Sequence, residues 1–200
     1  MTKKVEFLFD FGSPNAYLSW KVVPEIEKRT ATKFQYVPVL LGGIFKATNN
    51  VSPVIANQGI RNKGEYQFLE IDRFVTKHGL SKFKFNPHFP VNTLQIMRGA
   101  IAAEKENILP KYLDAVMAAM WEDGKKMDDP DVIKVVLDAA GIDGAHILAR
   151  IGEADVKAKL VANTENAVER GAFGIPTFYV DGDIYFGKDR LRDVEEAIAG

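Results

Sequence analysis

Gly12-Ser13-Pro14 follows the strand-like run Val5-Glu6-Phe7-Leu8-Phe9-Asp10-Phe11 and precedes a helical pattern. Serine is a favoured N-cap and proline a favoured first helical residue, so a helix is expected to begin here. A hydroxyl in that place lies beside unpaired backbone N–H groups and the positive end of a helix dipole, which favours an anion. Helix N-termini lower a thiol's pKa from about 8.5 to between about 3.5 and 7.5. The chain contains no cysteine, so any sulfur must arrive on a ligand, to which Ser13 could donate a hydrogen bond. The bland alternative is that Ser13 only caps the helix, and from this tripeptide alone capping carries more weight. Serine as its own nucleophile is weaker still, because no G-x-S-x-G pattern surrounds it.

Two further segments could meet a ligand at the same end of the fold. Phe186-Gly187-Lys188-Asp189-Arg190 leads into a terminal helical pattern. There backbone N–H groups would take a carboxylate and Asp189 an ammonium, the two ends of a peptide terminus. Asp189 as a plain N-cap would also satisfy the pattern. Gly174-Ile175-Pro176-Thr177 stands just before a strand-like run; a proline there is often structural and trans. The three histidines, His78, His88 and His146, are widely spaced and match no metal pattern, so no metal is assigned.

The elements that must position these residues follow from periodicity. Val5 to Phe11 reads as a strand, Pro14 to about Arg29 as a helix with Tyr17, Trp20, Val23 and Ile26 on one side, and Phe34 to Leu41 as a second strand. The crossover is long enough for parallel pairing. From about Phe45 to Ile151 there are only turns and helical patterns. Asn49 to Asn62 reads as a loop. Helices are expected from Glu65 to His78, from the Asn92-Thr93 cap, from Pro110 and from Asp129-Pro130. A long helix over Glu153 to Glu169 then leads to Thr177-Phe178-Tyr179-Val180 and Ile184-Tyr185-Phe186 around Asp181-Gly182-Asp183, a hairpin signal. Asp189 is expected to cap the last helix.

The order is strand-helix-strand, a large all-helical insertion, then helix-strand-strand-helix. It predicts an α/β thioredoxin-like fold, with residues 1–44 and 152–200 as one domain and 45–151 as the inserted helical domain. In that fold the proline at Pro176 is expected in the cis form, facing the start of the first helix. Ile175 would then offer its N–H and C=O to an extended peptide.

The 200 residues are 46% hydrophobic and carry 26 basic against 27 acidic side chains. That composition supports a sizeable core and gives no global field for nucleic acid or a membrane surface. No run approaches the roughly 18 apolar residues of a membrane span, and the N-terminal apolar stretch is too short for a secretory signal. The chain is expected to remain in the cytoplasm.

Three motifs together resemble one family. Phe9-Asp10-Phe11-Gly12-Ser13-Pro14-Asn15-Ala16-Tyr17, Asn86-Pro87-His88-Phe89-Pro90-Val91-Asn92-Thr93-Leu94, and Gly174-Ile175-Pro176-Thr177 with Gly187-Lys188-Asp189-Arg190 are similar to segments of 2-hydroxychromene-2-carboxylate isomerases. That family is close to the kappa-class glutathione transferases, and both are similar to periplasmic disulfide oxidoreductases with an inserted helical domain. The resemblance spans nearly the whole chain and overturns the capping-only reading of Ser13. It implies glutathione as cofactor, Ser13 holding its thiolate, and Ile175 and Pro176 pairing with its cysteinyl backbone. Lys188 and Asp189 match positions near its γ-glutamyl end, although kappa enzymes usually have serine where Lys188 stands. Asn50 and Lys63 match candidates for the glycyl carboxylate, with solvated surface residues as the equal alternative. Asn49 replaces the family's usual glycine.

The family reaction interconverts 2-hydroxychromene-2-carboxylate and trans-o-hydroxybenzylidenepyruvate in naphthalene breakdown. Reversible thiolate addition would turn a stiff double bond into a rotatable single bond. An aromatic acid is the implied substrate, with Phe45 and Phe89 of the insert as candidates to cover it, and a homodimer is the implied assembly. A kappa-like glutathione transferase or peroxidase is the first alternative, and a non-catalytic glutathione- or peptide-binding module the second. Without cysteine, disulfide exchange is excluded.

Overall fold

The computed structural model describes residues 3–200. Val5–Phe9 forms β1, whose five residues are all buried, as expected of a central strand covered on both faces. Pro14–Thr30 forms α1, with Ser13 at its N-cap, followed by β2 over Phe34–Pro38. β1 and β2 run parallel, with Phe7 opposite Tyr36. The chain then passes through α2 (Leu41–Thr48), α3 (Pro53–Ala56), α4 (Lys63–His78), α5 (Leu94–Lys105), α6 (Leu109–Trp121), α7 (Pro130–Ala139) and α8 (Gly144–Arg150). It returns along α9 (Ala154–Glu169) to β3 (Thr177–Val180) and β4 (Asp183–Phe186), and ends in a 3-10 turn, Lys188–Arg190, and α10 (Leu191–Ala199). The four strands lie in the order β2-β1-β3-β4, with both β3 pairings antiparallel. Asp181 and Gly182 both have positive φ, 48° and 102°. That pair makes the two-residue turn whose twist matches the strands it joins.

The expected elements are present, with several differences that have physical causes. β1 stops at Phe9 because Asp10 turns away to accept hydrogen bonds from the Gly12 and Leu41 amides, each 2.8 Å. β2 stops at Pro38, and Leu41 begins a helix where a strand end was expected. Gly42-Gly43 hides α2 from propensity, but the close approach of α9 explains Gly43: a Cβ there would lie 3.0 Å from Thr164 Cγ2. The loop expected over Asn49 to Asn62 contains the short α3, capped by Ser52. α8 was not anticipated; its seven residues are too few for a period, although Asp143 caps it by accepting from the His146 amide.

The last helix corrects one expectation. Asp189 does not cap it: the chain makes the 3-10 turn first, Arg190 occupies the N-cap, and the Asp189 carboxylate meets Lys188 Nζ at 2.6 Å.

The buried side chains form one continuous cluster through the sheet, α1, α5, α6 and α9. Trp121, fully buried at the end of α6, donates from Nε1 to the Phe11 carbonyl at 2.8 Å. This bond ties the helical block to the loop that carries Ser13. Burying a tryptophan is favourable only when its N–H finds a partner, so the site loop and the core of the helices specify each other.

Candidate active site

Ser13 stands at the crossing of two segments far apart in sequence. Its Oγ accepts from the Ala16 amide at 3.2 Å, as a helix cap, and its hydroxyl donates to the Ile175 carbonyl at 3.1 Å. Capping and a contact with the opposing loop therefore coexist in one side chain. The residue is almost wholly buried at 4% exposure and borders a cavity of about 650 Å³, well within the size of small-molecule sites.

The loop carrying Ser13 is held from beneath by Asp10, which sequence reasoning did not single out. Asp10 is fully buried and accepts from the amides of Gly12 and Leu41, with the Thr93 side chain as a third donor. Burial pushes its carboxyl above the usual value, against the pull of those three donors. Gly12 suits this packing, since a Cβ would sit tightly, 3.1 Å from Thr93 Cγ2 and 3.3 Å from Asp10 Oδ1. The available signal was an aspartate at the end of a buried, mostly apolar strand, where a carboxylate needs amide donors.

The opposing loop is equally fixed. The Ile175-Pro176 bond is cis, as expected. Four successive carbonyls are engaged: Phe173 by Asn50 Nδ2 (2.8 Å), Gly174 by the Thr177 hydroxyl (2.7 Å), Ile175 by Ser13, and Pro176 by the Gly187 amide (2.9 Å). The Ile175 N–H has no partner among the described residues. Asn15, next to Ser13, has a buried Oδ1 that is likewise unpartnered among them. A buried donor and a buried acceptor left open beside one hydroxyl fit a peptide-like ligand that supplies both counterparts.

The lining combines charged and aromatic side chains. Lys188 and Asp189 border the cavity together with Glu70. The Lys188 side chain is only 4% exposed, with Nζ 2.6 Å from Asp189 Oδ1 and 5.0 Å from the centre of the Phe74 ring. An ammonium so deeply placed needs anionic company, and Asp189, exposed on its outer side, supplies one carboxylate. The lining also carries an apolar set, Leu41, Phe45, Phe68, Ile71, Phe85 and Phe89, alongside polar side chains such as Asn57, Gln58 and Gln67. Phe85 packs against Phe68 and Phe89 at ring separations of 5.5 and 5.0 Å. The aromatic side chains suit a flat apolar body and the charged ones an ionic head.

Of the residues singled out from sequence, Ser13, Ile175, Lys188, Asp189, Phe45 and Phe89 border this cavity, and Pro176 adjoins it. Asn50 and Lys63 do not. The Asn50 amide is spent on Phe173, and its Oδ1 accepts from the Val51 amide. Lys63 is the exposed first residue of α4, one position before the lining residue Gly64. Tyr66, Phe68, Glu70 and Phe85 were missed because the apolar stripe of α4, Ile71, Phe74 and Val75, marks its core face and does not reveal the cavity.

Comparison with known proteins agrees with this geometry. Residues 4–199 match the DSBA-like thioredoxin domain family. The chain is 30% identical to glutathione S-transferase kappa 1 of Rattus norvegicus, over 94% of this chain and 87% of that protein. It is 24% identical to 2-hydroxychromene-2-carboxylate isomerase of Sphingobium xenophagum, over 98% and 97%. A solved 2-hydroxychromene-2-carboxylate isomerase superposes with a TM-score of 0.83, covering 97% of this chain and 93% of that one at 24% identity.

Proposed function

The chain belongs to the DSBA-like thioredoxin domain family, and from that premise we propose that it is a glutathione-dependent isomerase acting on an unsaturated aromatic acid of the 2-hydroxychromene-2-carboxylate type. The observation that carries this reading is the hydrogen bond from the Ser13 hydroxyl to the Ile175 carbonyl, beside the open Ile175 N–H, in a cavity lined by both charged and aromatic side chains. Relatives named as isomerases and as a kappa transferase support an enzyme of the glutathione-related isomerase and transferase group.

In this reading Ile175 pairs with the cysteinyl backbone through its free N–H, and Pro176 fixes that edge. Lys188 and Asp189 meet the charged γ-glutamyl end. When a peptide N–H takes over the Ile175 carbonyl, the Ser13 hydroxyl is released to donate to sulfur at the N-terminus of α1. Bound glutathione supplies the nucleophile that adds to a conjugated double bond and leaves again after rotation. Asn50 acts by holding Phe173 and so the loop, and Lys63 remains a candidate for the glycyl carboxylate from the rim. Residues 1–44 and 152–200 hold glutathione, and the helices of 45–151 cover the aromatic substrate.

Two further assignments accompany the proposal. Val54, Ile55, Tyr66 and Phe68 are each more than half exposed on α3 and α4, an apolar face that a second copy of the chain would cover. Sedimentation velocity should then give a dimer, and Phe68→Glu should shift it to monomer; a monomeric original chain overturns this assembly. The cytoplasm, with its reduced glutathione pool, is the compartment that suits the reaction. No helix among the described residues is long and apolar enough to cross a membrane.

Titration of the protein with glutathione from about pH 5 to 9, followed by thiolate ultraviolet absorbance, tests the central claim. Ionisation should come at least about one pH unit earlier on the original protein, and Ser13→Ala should lose that advantage. An unshifted thiol defeats the proposal. The 30% identity to a kappa transferase favours one second reading, in which glutathione is consumed. Product analysis decides: glutathione recovered unchanged supports isomerisation, and a stable conjugate supports transfer.

A further inference from the structure

A second cavity, of about 380 Å³, lies between α2, α5 and α9 and shares no lining residue with the Ser13 cavity. α2 separates the two, presenting Leu41 and Phe45 to one and Gly43 and Ala47 to the other. The floor of this second space is hydrocarbon: Leu94, Leu160, Val161 and Val168. Val161 stays 53% exposed there, with nothing folded over it. Thr164 adds no polar subsite, because its hydroxyl already accepts from the Leu40 amide at 3.0 Å and donates to the Leu160 carbonyl at 2.7 Å.

The charge around this floor is one-sided. Lys46, Arg98 and Lys157 border the cavity against the single acid Glu165. None of the three cations has an acidic partner among the described residues, whereas the neighbouring Lys105 and Arg150 are paired with Asp155 and Glu106. An apolar floor with unneutralised cations around it fits a ligand with a hydrocarbon body and one anionic head.

We propose that this cavity binds a small apolar monocarboxylate, its body on Leu94, Leu160 and Val161 and its head held by the Arg98 fork with help from Lys46 and Lys157. A guanidinium and a carboxylate match in planar, two-bond geometry, and at 380 Å³ the space suits a medium-length chain or one ring system.

Octanoate is the probe, titrated calorimetrically into the full chain without glutathione, so the result stands apart from the thiol reading. Binding should be tighter than about 1 mM. Arg98→Glu and the exposed Lys157→Glu should each weaken it by roughly tenfold or more, and Ala47→Phe should block it by filling the space. Unchanged circular dichroism and melting of Lys157→Glu separate lost binding from lost folding. The proposal is overturned if octanoate does not bind below about 5 mM, if 1-octanol binds as tightly, or if all three variants bind octanoate like the original.

Discussion

The residue whose role was least visible in the sequence is Asp10, and it supports the candidate site most directly. Its two oxygens fix the amides of Gly12 and Leu41, and so set both the Ser13 turn and the start of α2. Asp10→Ala would leave two partly buried N–H groups unpaired, at a cost of about 2–3 kcal/mol. Burial raises the Asp10 carboxyl in the folded protein, so its contribution is fullest below the unfolded pKa and is lost as pH rises through the folded one. Urea unfolding should therefore show a larger deficit for Asp10→Ala in acid than at neutral pH. A deficit that shrinks in acid would show that Asp10 is held as a carboxylate by its donors more strongly than burial opposes it. Ser13, by contrast, was readable at once: a hydroxyl before proline at a strand end announces a helix start. Its second bond, to Ile175, lay beyond local reasoning because 162 residues separate the pair.

At the scale of elements, the legible parts were those whose signal is local. α1, α4, α7 and the β3–β4 hairpin were marked by caps, prolines and turn residues. α2 was not, because two adjacent glycines argue against a helix, and the close approach of α9 that Gly43 accommodates is visible only in the fold. The junction of β1 with the end of α9 follows the same logic. Glu6, buried in the central strand, is gripped by Arg170 through bonds of 3.2 and 2.6 Å, and Arg170 lies 3.7 Å above the Tyr179 ring. The Arg170 hydrogen bonds, chiefly, hold the Glu6 carboxyl below its ordinary value despite partial burial. Its sign is opposite to that of Asp10: this contribution is present above the unfolded pKa and lost as pH falls through the folded one. Glu6→Gln should cost about 1.5–3 kcal/mol at neutral pH, and the penalty should fade in acid. A penalty that holds constant down to about pH 3 would mean the ion pair contributes nothing through its charge.

At the scale of the whole molecule, the fold was legible because the order of elements constrains the topology. A strand-helix-strand opening and a strand-strand-helix ending leave few ways to build one sheet, and the observed order β2-β1-β3-β4 uses them. The cavity was legible only in part: Ser13, Phe45, Phe89, Ile175, Lys188 and Asp189 were singled out, but its walls come from residues 12–15, 41–71, 85–89 and 175–189, which only the completed fold brings together. That dispersal has a measurable consequence. An unfolded chain holds no remnant of such a site, so a ligand bound there stabilises the native state by its full mass-action term. Glutathione at about a hundred times its dissociation constant should add about 2.7 kcal/mol. For a chain of 200 residues that amounts to a rise in melting temperature of roughly 5–10 °C. Asp189→Ala should reduce the rise at fixed glutathione by weakening the ionic contacts. Because it leaves the buried Lys188 ammonium without its carboxylate, it should also lower the melting temperature of the free protein, so the rise is measured from the variant's own ligand-free value. Binding seen by calorimetry with no thermal shift would mean that glutathione sits on a segment that opens before the fold as a whole. The four engaged carbonyls from Phe173 to Pro176 argue against such early opening, because releasing that loop would break hydrogen bonds to Asn50, Ser13, Thr177 and Gly187 together.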